Sequence, residues 1–252
     1  TYCIPRDRGY HRSLSEVPTL PAVKQLAELK LLAPDFHVEW SGGEPTLGPD
    51  FSETSSFLAT LGASQALFTN AVVLSEAALD WIPPSLTRML VSVDAGTRET
   101  YRIVKGFDAF DTVWANVRRY VRAGGRRILV KMVLLPQNRH EVTAFVRRAE
   151  DAGVQTVVVD VNHLQERVTD ADVAAAAEML EQCARCGIRL QAGFHMLHGR
   201  PEERFHDRVA QRHAERLREH TFTDRLVQRV GTAKGVRHIL RLARAAYRKG
   251  QC

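Results

Sequence analysis

A Ser-Gly-Gly-Glu-Pro-Thr-Leu segment occupies positions 41–47, directly after the apolar run Phe-His-Val-Glu-Trp at 36–40. The adjacent glycines Gly42 and Gly43 let the main chain pass close to a ligand, and Glu44 adds a carboxylate on a turn stiffened by Pro45. Peptide groups and one negative charge gathered at a point suit an ammonium group. An ordinary strand-to-helix turn has the same composition, so the segment takes its meaning from its company. That company is Tyr2-Cys3 near the start, Thr69-Asn70-Ala71 after a further apolar run, and Ser92-Val93-Asp94-Ala95-Gly96-Thr97 after another.

The elements that position these residues can be read from apolar periodicity. Short buried runs predict strands over 36–40, 66–68, 89–93, 128–135, 154–161 and 187–193. Amphipathic patterns predict helices over 20–31, 51–61, 75–81, 98–123, 140–152 and 171–186. Strand alternating with helix implies parallel strands and an α/β class. Six strands are short of a closed eight-unit barrel, so a partial or open barrel is expected, with the strands' carboxyl-end loops as the place for a ligand. The core is expected over 1–193. The histidine- and arginine-rich remainder, 194–252, reads as a helical basic connector or appendage.

With this order of segments in place, the chain resembles the core of radical S-adenosylmethionine (SAM) enzymes. In that family a CxxxCxxC loop follows the first strand and a GGEP motif the second. Tyr2-Cys3 matches the end of the first motif, Gly42-Gly43-Glu44-Pro45 the whole of the second, and Thr69-Asn70 a TN(G) turn in which Ala71 replaces glycine. Ser92-Val93-Asp94-Ala95 matches the stretch after the fourth strand.

The resemblance implies a partial (β/α)6-type barrel, a 4Fe-4S cluster, SAM, and a 5′-deoxyadenosyl radical that abstracts a substrate hydrogen. It implies Cys3 as a cluster ligand and Tyr2 near the SAM adenine. Gly42, Gly43, Glu44 and Pro45 would face the methionyl amino group, with Ser92 and Asp94 toward ribose or carboxylate. Asn138 is a further candidate for the pocket, with a turn role as its alternative. The implied partners are a peptide or small-molecule substrate and an electron donor such as a flavodoxin or ferredoxin. No cysteine precedes Cys3 and the chain starts at Thr1. The expectation is therefore a core cut at its N-terminus, inactive as it stands, with Cys252 as the first cysteine of a SPASM or twitch extension.

Other residues are less telling. Asp160 and Asn162 can face the pocket or cap turns, and Lys131 can bind a carboxylate or point to solvent. Cys183 and Cys186 have CxxC spacing but no second pair nearby, which favours a structural role over a metal site. His195 and His198 suit a surface loop better than proton transfer.

Bulk properties narrow the class. The 252 residues, 44% hydrophobic and 25% charged, suffice for a packed core, and no run approaches the length of a membrane span. Four cysteines are too few for a secreted disulfide scaffold, so a soluble, cytoplasmic protein is expected. The net charge of +6 is concentrated near the C-terminus. Nucleic acid is not the expected partner, although a cluster-free domain binding an acidic peptide or nucleic acid is the competing reading. An aldolase-like barrel with Lys131 as Schiff-base residue would leave the motifs as coincidence.

Overall fold

The computed structural model describes residues 19–162, 168–192 and 207–214. Its centre is a six-stranded sheet in chain order: β1 (His37–Trp40), β2 (Ser64–Thr69), β3 (Leu86–Ser92), β4 (Ile128–Leu134), β5 (Thr156–Val161) and β6 (Arg189–Ala192). The β1/β2, β2/β3 and β5/β6 pairs are parallel. The sheet is open, with β1 and β6 as its ends. The α/β expectation and all six strands hold, with ends shifted by at most three residues.

Helices separate the strands: α1 (Thr19–Glu28), α2 (Phe51–Thr60), α3 (Glu76–Ser85), α4 (Arg98–Lys105), α5 (Phe110–Gly124), α6 (Val142–Asp151) and α7 (Asp170–Arg185). Residues 207–214 form a further helical turn segment. The single helix expected over 98–123 is two. Gly106, at φ 82°, closes α4 in the left-handed conformation and donates its N–H to the Arg102 carbonyl, which ends the ladder before α5 begins.

By compactness the chain divides into Thr1–Val93 with Ala109–Val130, and Asp94–Asp108 with Lys131–Cys252. The boundary expected at 193/194 lies outside the described residues.

In the first unit, α5 buries Phe110, Val113, Trp114, Val117 and Tyr120 on one stripe, the three-and-four spacing of an amphipathic helix. Each large side chain removed from water contributes about 2 kcal/mol. At Gln65 the β2/β3 register shifts. The buried Gln65 amide donates to the Ser55 carbonyl and the Ser85 hydroxyl, both at 3.0 Å, and accepts from Trp40 Nε1 at 2.8 Å. That contact, with the edge-on packing of Trp40 on Phe51, fixes the end of β1 just before the glycine pair.

In the second unit, every residue of β5 is buried, as its valine run requires of a strand covered on both faces. Helix α6 buries Val142, Phe145, Val146 and Ala149. Helix α7 starts in a capping box, in which the Thr169 hydroxyl accepts from the Asp172 amide and the Asp172 carboxylate accepts from the Thr169 amide. No described helix is long and apolar enough to cross a membrane.

Candidate functional site

In the first unit the loop after β1 is built around Glu44. Gly42 takes φ 110°, a conformation that costs a side chain dearly. Glu44 then caps the short 3-10 turn Pro45–Leu47, with proline at the position where its fixed φ fits best. The half-buried carboxylate is saturated by its own unit. Oε1 accepts the hydroxyls of Thr46 and Thr69, each at 2.7 Å, and the Thr46 amide at 3.4 Å, while Oε2 accepts the Asn70 amide at 2.6 Å. Glu44 therefore ties the loop after β1 to the turn after β2.

That turn is itself braced. The Thr69 hydroxyl accepts the Ala71 amide at 2.9 Å and the Asn70 side chain accepts the Val72 amide at 2.9 Å. Ala71, where glycine was the expected residue, has φ 53°. A left-handed alanine costs about 1 kcal/mol. Asn116 of α5 offsets this by donating to the Ala71 and Val72 carbonyls at 2.9 and 3.3 Å. The Tyr120 hydroxyl accepts the Ser75 amide at 2.8 Å, and burial raises its pKa.

A Cβ placed on Gly42 or Gly43 would meet nothing within 4 Å among the described residues. Chemically, the loop offers peptide groups beside a fixed negative charge.

In the second unit the turn after β3 is centred on Asp94, at φ 60° and 0% exposure. Its carboxylate accepts Lys105 Nζ at 2.6 Å and the Val133 amide at 2.7 Å, and its own amide donates to the Lys131 carbonyl at 3.2 Å. Burial would raise the Asp94 pKa, but the charges of Lys105 and Lys131, with the hydrogen bonds from Lys105 and Val133, hold it below the ordinary value. Tyr101, buried against the same charge, is pushed up to about 12, by burial first and then by Asp94 and Asp108.

Asp94 was expected to approach a ligand directly; instead its carboxylate is enclosed and committed to Lys105 and β4. Asn138 is likewise 0% exposed. Its amide donates to the Asp94 and Val133 carbonyls and accepts from the Leu135 amide, all at 2.8 Å, which is the turn role rather than a pocket role. Lys131 is half-buried and stabilises the Asp94 charge. Asp160, 5% exposed, accepts the Val161 amide at 2.8 Å from within β5. Ser92 ends β3 half-buried.

Sequence reasoning missed Glu141. This residue, 8% exposed, takes four donors from the turn after β3 and the start of α4: the Gly96 and Thr97 amides at 3.0 and 3.2 Å, and the Thr97 and Thr100 hydroxyls at 2.6 and 2.8 Å. The only signal for it in the sequence is a carboxylate just ahead of an apolar helix.

Tyr2, Cys3, His195, His198 and Cys252 lie outside the described residues. Among the described residues no three His, Cys, Asp or Glu side chains gather as a metal site. Cys183 is buried, its thiol pKa pushed up by burial, and Cys186 donates to Glu150 at 3.2 Å.

A model of the Radical SAM superfamily matches residues 1–149. GTP 3′,8-cyclase of Vibrio parahaemolyticus is 29% identical over 161 residues, 62% of this chain and 48% of that protein. A probable GTP 3′,8-cyclase of Saccharolobus islandicus is 32% identical over 121 residues, 48% of this chain and 39% of that protein. The chain thus spans half or less of the curated relatives it matches. Among solved structures, Streptococcus suis SuiB bound to S-adenosylmethionine superposes with a TM-score of 0.52 at 14% identity, over 64% of this chain and 40% of that one. At such identity the likeness speaks for the fold.

Proposed function

Because the chain belongs to the radical SAM superfamily, whose model covers more than half of it, we propose that it builds the cofactor-binding core of an enzyme that generates a 5′-deoxyadenosyl radical and uses it on a small-molecule substrate. The cofactors of that superfamily are a 4Fe-4S cluster and SAM. Bound together they supply reductive cleavage of SAM to methionine and the radical, which takes a hydrogen atom from the substrate.

The carrying observation is the tie from Glu44 to Thr69 and Asn70. It presents the glycine loop with a fixed carboxylate at the carboxyl ends of β1 and β2, the end of a parallel sheet where ligands bind. A methionyl ammonium would be received by the peptide carbonyls of Gly42 and Gly43, with the Glu44 charge behind them and Pro45 holding the turn. Ser92 would meet the ribose or the carboxylate. Asp94 and Asn138 would act within the second unit, by holding the turn after β3. Cys3 would ligate the cluster and Tyr2 would lie near the adenine.

For the substrate, the sequence relatives favour a purine nucleotide, since both carry the name GTP 3′,8-cyclase. A peptide substrate has fold-level likeness alone behind it. An electron donor of the flavodoxin or ferredoxin kind would serve the cluster, in the cytoplasm.

The test is to express the open reading frame from its own start codon, purify the product anaerobically, supply ferrous iron and sulfide, and add SAM and dithionite with and without GTP. Iron bound near four per chain, with 5′-deoxyadenosine and methionine formed together, supports the reading. A protein that takes up no iron and instead binds an acidic peptide or nucleic acid in a salt-sensitive way overturns it.

A further inference from the structure

We infer that Arg88 is an anion-binding residue of the substrate site, taking a phosphate on the less enclosed face of β1–β3; the identity of the ligand, a purine nucleotide, rests on the reading above. Alternation sends successive strand side chains to opposite faces. In the first unit Gln65 and Leu67 of β2, with Met89 and Val91 of β3, are buried on one face. Glu39 of β1, Ala66 and Phe68 of β2, and Arg88, Leu90 and Ser92 of β3 lie on the other. There Phe68, Leu90 and Ser92 are half-buried, and Glu39 and Arg88 are exposed. A parallel sheet ordinarily has both faces covered, as β5 does.

Arg88 reaches this face through the register shift between β2 and β3. Gln65 pairs with Leu86 but Ala66 pairs with Arg88, so Thr87 is an extra residue, and its hydroxyl donates to the Gln65 carbonyl at 2.9 Å. Without that residue Arg88 would stand opposite Leu67 and turn into the buried face, since a slip of one residue exchanges the two faces. Bulges re-aim side chains in this way and are rare between parallel strands.

Glu39, Ala66 and Arg88 form one row across three strands. Over the small Ala66 side chain Arg88 meets Glu39 at 3.5 Å, with the two side chains 46% and 47% exposed, and a long, half-exposed ion pair holds weakly. The guanidinium lies 5.2 Å from the centroid of the Phe68 ring, which orients its plane. One terminal nitrogen serves Glu39, and the rest of the guanidinium is left for a phosphate held by two parallel N–H bonds. Leu90 and Ser92 continue the same face toward the carboxyl end of β3, about 13 Å beyond Arg88, a distance that a nucleoside triphosphate can span. That is the end where ligands of a parallel sheet bind.

The experiment is calorimetric titration of GTP, guanosine and inorganic tripolyphosphate into the product of the whole open reading frame and its variants. Arg88→Met should weaken GTP and tripolyphosphate about tenfold or more and leave guanosine within about twofold, and Arg88→Lys should recover part of the loss. Glu39→Gln removes the competing carboxylate and should tighten GTP about threefold. Equal GTP affinity in wild type and Arg88→Met overturns the inference, as does a loss in Glu39→Gln equal to that in Arg88→Met, which would mean that the ion pair acts on the fold alone. If Arg88→Met does not fold, opposite changes in Arg88→Lys and Glu39→Gln support the inference and changes of the same sign overturn it. A wild type that cleaves SAM but binds neither GTP nor tripolyphosphate overturns the inference and leaves the radical reading standing. A protein that takes up no iron yet binds GTP through Arg88 keeps the anion site while the reading of function falls.

Discussion

Lys105 Nζ lies 2.6 Å from Asp94 Oδ2, so the last residue of α4 closes back on the turn that precedes the helix. Both side chains are largely out of water, at 12% and 1% exposure. Removing one partner strands the other charge, and Lys105→Met should cost about 3 kcal/mol in urea unfolding at neutral pH. The Asp94 pKa is lowered in the folded protein, so the stabilisation is complete above the ordinary value of 3.8 and is lost as pH falls through the folded value. The gap between wild type and Lys105→Met should therefore be widest at neutral pH and narrow as pH falls, because Asp94 takes up its proton in the variant at a higher pH than in wild type. A gap independent of pH would contradict this account.

Two glycines should separate function from stability. Gly43→Ala adds a Cβ that meets nothing within 4 Å and should leave unfolding free energy within about 0.5 kcal/mol, while the proposed function, which puts the methionyl group at this loop, requires S-adenosylhomocysteine affinity to drop. Gly96→Ala drives a Cβ into the Glu141 and Phe145 main chain and should cost about 3 kcal/mol. Equal affinity for Gly43→Ala and wild type would remove the glycine loop from the site.

Thr69, 4% exposed, bridges Glu44 and the Ala71 amide through one hydroxyl. Thr69→Val leaves both partners short and should cost about 2 kcal/mol, with Thr69→Ser recovering most of it. Chemical unfolding of the two variants side by side measures the difference.

Alkylation should rank the described thiols. Cys183 is buried with its pKa raised, and burial with the Glu150 contact takes Cys186 up to about 11, so little thiolate exists at neutral pH. Iodoacetamide labelling followed by peptide mass mapping should find Cys186 slow and Cys183 slower still. Rapid labelling of Cys183 would mean that the end of α7 opens.

The strands were legible because each is an apolar run closed by turn residues, and β5, with three successive valines, could be little else. Helix periodicity, by contrast, ran on through Gly106, since the residues on either side keep the amphipathic pattern while the break depends on one left-handed φ. The glycine loop was visible as a motif. Its partner was not, because the Thr69 hydroxyl reaches Glu44 across 25 positions of chain. Asp94 was read as a ligand contact from the resemblance of its segment to a family motif, and only the fold shows Lys105 enclosing it. Glu141 was illegible for the same reason: two of its donors lie 44 and 45 positions earlier.

The division into Thr1–Val93 with Ala109–Val130, and Asp94–Asp108 with Lys131–Cys252, means that neither compact unit is a continuous stretch of chain. On the ribosome the first unit cannot close its core until Val130 has emerged. By then Asp94–Asp108 has already been made, with Asn138 and Glu141 still to come. At about 5–20 residues per second that segment waits for seconds with its acidic turn unsatisfied. Nascent-chain quality control thus meets an interval in which the Asp94–Lys105 segment lacks the strand and helix that complete its brace.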